Sequence, residues 1–238
     1  MNETIVLLHG FSGTRRAWDG VAALLDPERY RPLALDLPGH GERADDRWPI
    51  TFKACVEAVL EAAPKRFALC GYSLGGRVAL HVALAAPERV SRLTVIAANP
   101  GIEDLKVRAE RLAADERLAQ RLESEPFEDF IESWRTQPLF AEDPPAVGEM
   151  ARADQRRNDQ LAMAAVMRGL SVGAMAPLWD RLGEFEMPVA FVAGTRDEKF
   201  RAIGERFAAE CPPSTLKVVE GGHGLPLENP EAVAASLS

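Results

Sequence analysis

Cysteine is nearly absent: the 238-residue chain carries only Cys55, Cys70 and Cys211. Three scattered thiols can neither frame a disulfide scaffold nor supply a zinc site, so no metal and no cofactor is expected. Cys70, inside an apolar run, reads as a small buried hydrophobe. Positive charge is in deficit too, with 28 Lys and Arg against 36 Asp and Glu for a net charge of −8. That balance argues against nucleic acid or an anionic membrane surface as a partner. No apolar run nears the roughly 20 residues of a membrane span. Met1-Asn2-Glu3-Thr4 also lacks the basic start of a secretory signal. No internal repeat or low-complexity segment is visible. The expectation is a cytoplasmic, metal-free globular protein. Its hydrophobic share of 47% and charged share of 27% suffice for one good core, as a single α/β domain or a domain with an insertion.

What the chain does have is Gly71-Tyr72-Ser73-Leu74-Gly75, a G-x-S-x-G signature. An apolar run, Phe67 to Cys70, precedes it and reads as a buried strand. A helical pattern from Arg77 through Leu84 follows and stops at Pro87. Between a strand and a helix, the signature lifts a serine hydroxyl clear of the sheet on a tight turn. The helix aims its N-terminal N–H groups at negative charge developing beside Ser73.

Other strand signals recur along the chain: Ile5 to Leu8, Arg31 to Leu35, Leu93 to Ala97, Pro188 to Ala193 and Leu216 to Val219. Helical stretches at 14–25, 51–63, 200–209 and from Pro230 onward alternate with them. This alternation predicts a mainly parallel sheet covered by helices on both faces. From Ile102 to about Pro177 strand character vanishes, leaving charged amphipathic helices broken at Pro126, Pro138 and Pro144-Pro145. The expected organisation is an α/β core at 1–101 and 178–238, with an all-helical cap inserted at 102–177.

Ser73, Asp197 and His223 each follow a strand signal, in the order serine, acid, histidine. A serine hydroxyl is a poor base or nucleophile until a histidine takes its proton and an acid fixes the imidazole tautomer. Asp36, Asp180 and Glu198 are rivals for the acid, but only Glu198 shares the right loop, one residue further from the strand end. Asp36 reads instead as a turn-holding side chain, and His81 as a packed histidine in a helix. His9-Gly10-Phe11-Ser12-Gly13 follows the first strand, so the Phe11 and Leu74 N–H groups are the oxyanion-hole candidates. Arg77, four residues after Ser73, shares its helix face and suits bidentate pairing with a substrate carboxylate. The competing reading of Arg77 is an arginine that reaches solvent or pairs with a cap carboxylate. Most of the cap arginines are read as solvated surface.

With these residues in view, the chain resembles the α/β-hydrolase-fold 2-succinyl-6-hydroxy-2,4-cyclohexadiene-1-carboxylate synthases of menaquinone biosynthesis (MenH). The resemblance covers nearly the whole chain. It rests on His9 to Gly13, Asp36-Leu37-Pro38-Gly39-His40-Gly41 and Gly71 to Arg77. More discriminating are Arg108 to Arg111, Glu125-Pro126-Phe127 through Trp134 to Phe140, and Arg196-Asp197-Glu198-Lys199-Phe200. The resemblance implies a lyase that eliminates pyruvate from an enolpyruvyl-cyclohexene polycarboxylate, with Ser73 abstracting a proton rather than attacking a carbonyl. It also implies substrate binding by Arg77, Arg111, Arg156, Tyr72 and Trp134. A carboxylesterase or thioesterase acting on an acidic ester is the alternative enzyme, and a non-catalytic ligand receptor the alternative class.

Overall fold

Apolar runs of four to six residues can hide both faces only inside a sheet that helices cover on each side. A computed structural model, which describes residues 2–44 and 49–237, has that arrangement. Strands β1 (Glu3–Leu8), β2 (Tyr30–Leu35), β3 (Phe67–Tyr72), β4 (Val90–Ile96), β5 (Val189–Gly194) and β6 (Ser214–Val219) form one sheet. All the pairings are parallel, in the order β2-β1-β3-β4-β5-β6. The register levels the C-terminal ends: Leu8 lies opposite Gly71, Tyr72 opposite Ile96, and Gly194 opposite Val219. β1 connects outward to β2 while β3 begins the run in the other direction, so a crevice opens at the C-terminal ends of β1 and β3.

Side chains alternate between two cores. Val6, Leu8 and Leu69 pack under helices α2 (Phe52–Ala62), α3 (Leu74–Ala85) and α8 (Glu198–Glu210). Ile5, Leu7 and Cys70 pack on the other face under α1 (Asp19–Leu24) and α10 (Pro230–Ser236). Four longer helices lie between β4 and β5: α4 (Leu105–Ser124), α5 (Phe127–Arg135), α6 (Pro145–Gln155) and α7 (Gln160–Gly169). The apolar faces of α4, α5 and α7, including Leu122, Phe130, Met163 and Val166, join the α2–α3–α8 core directly. The ends of this insertion are stitched together: Leu178 N–H donates to Pro100 O (2.8 Å) and Trp179 Nε1–H to Gly101 O (2.9 Å).

Most strands and helices begin or end within one to three residues of the sequence expectation, and three features depart from it in kind. The stretch from Thr14 opens as a 3-10 turn, Arg15–Trp18, before α1 begins, and Arg15 N–H is taken by Asp36 Oδ1 (2.7 Å). Helix α3 starts at Leu74, immediately after Ser73, with Gly75 close against Leu8 and His9 and Gly76 against Gly71 and Ala98. A short helix, α9 (Leu225–Glu228), precedes α10, with Leu225 buried. Tryptophan 48, aspartates 45 and 46 and arginine 47 lie outside the described residues.

Phe207 is fully buried and packs against Phe191 at 5.2 Å between centroids, joining α8 to β5. Phe207→Ala should lower the unfolding free energy by about 3–5 kcal/mol, since the cavity adds to the lost transfer term. Urea unfolding of the variant checks this.

Candidate active site

Strand β3 runs into helix α3 with a single residue between them, and that residue is Ser73 at φ 52° and ψ −110°. The turn is so tight that a Cβ on Gly71 would stand 2.2 Å from Gly75 O, and one on Gly75 2.3 Å from Leu8 O. Ser73 N–H is anchored on β4 through Ile96 O (2.8 Å). The serine hydroxyl therefore stands at the crevice, above the N-terminus of α3.

The loops after β5 and β6 bring the other two sequence candidates to it. His223 Nδ1–H donates to Asp197 Oδ2 (2.7 Å), which leaves Nε2 facing Ser73 Oγ at 3.3 Å. Asp197 and His223 are both buried, and the second Asp197 oxygen caps α8 at Phe200 N–H (3.3 Å). Glu198, the rival acid, is exposed in the first turn of α8. The two loops are braced: Arg196 N–H donates to Gly221 O (2.9 Å), and Glu228 Oε2 accepts Gly222 N–H (2.7 Å). The other Glu228 oxygen holds the Arg196 guanidinium. Phe200 and Tyr72 flank the imidazole, with ring centroids at 4.7 and 5.4 Å. Burial pushes the Tyr72 hydroxyl pKa well up, so it stays a neutral phenol.

The Phe11 and Leu74 N–H groups find no acceptor among the described residues, and both residues line the cavity beside Ser73. His9 sets the direction of the first. Its Nε2 accepts Leu37 N–H (3.0 Å), so the proton sits on Nδ1, which donates to Gly10 O (2.8 Å). Gly10 C=O and Phe11 N–H belong to one trans peptide and point opposite ways, so a carbonyl turned toward His9 turns the N–H away from it. Burial lowers the His9 pKa and keeps it in this neutral form.

A cavity of about 990 Å³ lies over the serine, between the sheet edge and the helical insertion. This size suits a small organic ligand. Four cations line it: Arg196, which is tied to Glu142, Glu220 and Glu228, and Arg77, Arg111 and Lys199. Arg77 Nη1–H holds Leu170 O (2.9 Å), and its guanidinium lies over the Phe52 ring at 5.8 Å. Burial, reinforced by Arg111, brings the Arg77 pKa down to about 10. Arg111 Nε–H is fixed by the buried Asp115 (2.8 Å), which also accepts Ser171 Oγ–H (2.6 Å), leaving the terminal guanidinium nitrogens for a ligand. Lys199 has its pKa lowered by burial and then by Arg111. Among the described residues neither Arg77 nor Lys199 has a carboxylate within ion-pair distance. Trp134 adds a wall, its ring 4.8 Å from that of Phe11.

Arg156 is the correction. It caps the end of α6 on the outer surface, paired with Glu128, and does not line the cavity. Successive helical residues point about 100° apart, and at this end of α6 the inward positions belong to Asp154 and Gln155, both buried. Lys199 takes the place of a third cavity cation. The available signal was its position two residues past Asp197, just beyond a strand's C-terminal end, where the structure places it in the first turn of α8.

Comparison with known proteins agrees with this geometry. The profile of the alpha/beta hydrolase family matches residues 5–236. The 2-succinyl-6-hydroxy-2,4-cyclohexadiene-1-carboxylate synthase of Klebsiella pneumoniae is 35% identical, over 98% of this chain and 92% of its own. The synthase of the same name from Enterobacter sp. (strain 638) is 34% identical, over 98% of this chain and 90% of its own. Among solved structures, MenH from S. aureus superposes with a TM-score of 0.92 at 29% identity, covering all of this chain and 92% of the other.

The three histidines other than His223, namely His9, His40 and His81, have pKa values held below 6.5, in each case chiefly by burial. The unfolded chain takes up protons near that pH which the folded chain refuses, so stability rises with pH across this window. Unfolding free energy should therefore fall as the pH drops below about 6.5, each histidine contributing up to about 1.4 kcal/mol per pH unit. His40, the most strongly depressed, has no partner for Nε2 among the described residues. His40→Gln should flatten the slope between pH 7 and 5, measured by denaturant titration.

Proposed function

Because the chain belongs to the alpha/beta hydrolase family, and within it to the 2-succinyl-6-hydroxy-2,4-cyclohexadiene-1-carboxylate synthases, we infer that it is the pyruvate-eliminating lyase of menaquinone biosynthesis. Its substrate is 2-succinyl-5-enolpyruvyl-6-hydroxy-3-cyclohexene-1-carboxylate. The observation that carries this reading beyond the fold is the set of three cations, Arg77, Arg111 and Lys199, facing a cavity beside Ser73. The substrate has three carboxylates: on the ring, on the succinyl chain and on the enolpyruvyl group. A neutral ester would leave the half-buried Arg77 without an anion, which is unfavourable.

The reaction follows from the two ring structures. The proton at ring C2 is acidic because the succinyl ketone is attached there. Ser73 Oγ takes it while His223 Nε2 takes the serine proton, and Asp197 stabilises the resulting imidazolium. Negative charge collects on the succinyl carbonyl oxygen, where the N–H of Phe11, in the loop after β1, and the N–H of Leu74, at the start of helix α3, receive it. Electrons then close C2=C3, shift the ring double bond to C4=C5 and expel enolpyruvate from C5. The proton held on His223 returns to the leaving group, which ends as pyruvate. No water is added, and no redox partner or cofactor enters. Tyr72 and Trp134 shape the walls, and Arg77, Arg111 and Lys199 hold the carboxylates so that C2 faces the serine.

Small-molecule chemistry in the cytoplasm, without nucleic acid or membrane, fits the acidic charge balance. Among the described residues no helix is long and apolar enough to cross a membrane.

Pyruvate release from the enolpyruvyl precursor, generated in situ, tests the reading beside hydrolysis of a short p-nitrophenyl ester. The protein should release pyruvate with little esterase activity. Ser73→Ala should abolish turnover by at least about 10³-fold. Arg77→Ala and Lys199→Ala should each lower kcat/KM by about 10- to 100-fold, the worth of a charged hydrogen bond. Brisk ester cleavage with pyruvate release at the uncatalysed rate would overturn it.

A further inference from the structure

The end of α6 and the turn after it plug into the loop that carries Phe11. Asn158 is buried and uses its whole amide: Nδ2–H donates to Ser12 O (2.7 Å) and to Gln155 O (3.1 Å), and Oδ1 accepts Gly41 N–H (3.0 Å). Gln155 Nε2–H donates to Ser12 Oγ (2.8 Å). Asp154 accepts Thr14 N–H (2.8 Å) and the Thr14 hydroxyl. All three side chains are at least nine-tenths buried. They come from the helical insertion, and they converge on residues 12–14 of the core.

What they hold is not a relaxed loop. Ser12 sits at φ 58°, the left-handed region that serine seldom visits. Its carbonyl and its hydroxyl are both gripped from above, so the backbone has no route back to an extended conformation without breaking two buried hydrogen bonds. The peptide before Phe11 is fixed by His9 on one side. The residue after Phe11 is fixed by Asn158 and Gln155 on the other. Between two pinned neighbours, Phe11 N–H has one direction left.

We propose that Asn158, with Gln155 and Asp154, is a positioning residue for the oxyanion hole: through Ser12 the cap sets the aim of the Phe11 N–H. This rests on the oxyanion role given to Phe11 above. Such a residue touches no substrate, so its loss weakens transition-state stabilisation and leaves substrate binding to the cavity cations.

The test compares the wild-type chain with Asn158→Ala, with Gln155→Ala, with Ser12→Gly, and with Asn158→Ala combined with Ser12→Gly. Pyruvate-release kinetics are measured together with amide hydrogen exchange of the segment 10–14. Asn158→Ala should lower kcat by about 10- to 100-fold, part of what a lost oxyanion donor costs, with KM within about twofold. Exchange in 10–14 should quicken while the segments around Asp197 and His223 stay protected. Adding Ser12→Gly should return part of the lost kcat, because glycine takes a positive φ without being held there. Gln155→Ala, which removes only the hydroxyl contact, should give the same pattern at smaller size and serves if Asn158→Ala does not fold. Unchanged kcat, a kcat loss without faster exchange in 10–14, or no recovery with Ser12→Gly would overturn the proposal. A wild-type chain that releases no pyruvate would defeat the functional reading instead, and the exchange data would still decide whether the cap holds this loop.

Discussion

A serine held at φ 52° costs about 1–3 kcal/mol of backbone strain, and it persists only where the surroundings leave no alternative. Here helix α3 begins at the very next residue, its first glycine, Gly75, lies against the backbone of β1, and Ser73 N–H is tied to β4. Three strands and a helix thus over-determine one turn. The rest of the site is arranged around the point in space that the turn defines. The loops after β5 and β6 deliver the acid and the base to it, and the loop after β1 delivers an amide. Level strand ends in a single register are what allow four separate loops to meet at one hydroxyl.

The electrostatics follow a different logic from the whole-molecule charge. The chain is acidic at −8, and the cavity lining mixes both signs, with Asp115, Glu142, Asp143, Asp197 and Glu198 beside its cations. Yet Arg77 and Lys199 there have no carboxylate within ion-pair distance among the described residues. Arg77 and Lys199 both have depressed pKa values, caused first by burial and then by Arg111. These two unpaired charges are the ones that an entering polyanion neutralises. Asp115 limits the repulsion by balancing Arg111 while leaving the guanidinium's outer edge open. The acidic exterior in turn resists adventitious anions away from the cavity.

Much of this was legible because it is local. A strand, a G-x-S-x-G turn and a helix are encoded within a dozen residues, and the serine–acid–histidine order follows from strand ends alone. Arg77 was readable for the same reason, being one turn from Ser73 on a helix whose direction the motif sets. Arg156 was not. Whether a residue at the end of α6 looks into the cavity or out to Glu128 depends on how that helix docks, and a shift of one position decides it. No local pattern carries that rotation. The same blindness hid Asp154, Gln155 and Asn158, which look like ordinary polar surface in sequence and are buried only because the insertion folds back onto the loop after β1. Lys199 belongs to the same group, since its role depends on the first turn of α8 facing the same cavity as Arg111 of α4.

The apolar faces of α4, α5 and α7 merge with the core above the sheet rather than forming a core of their own. Caps of this kind are often pictured as interchangeable modules that retune specificity on a constant catalytic base. In this chain the insertion shares its hydrophobic interior with that base and supplies polar struts to it. Divergence to new substrates is then channelled into side chains on the cavity-facing surface of the helices, one replacement at a time. Wholesale exchange of the insertion would remove part of the fold's own interior, which makes the cap the least transplantable piece of the molecule.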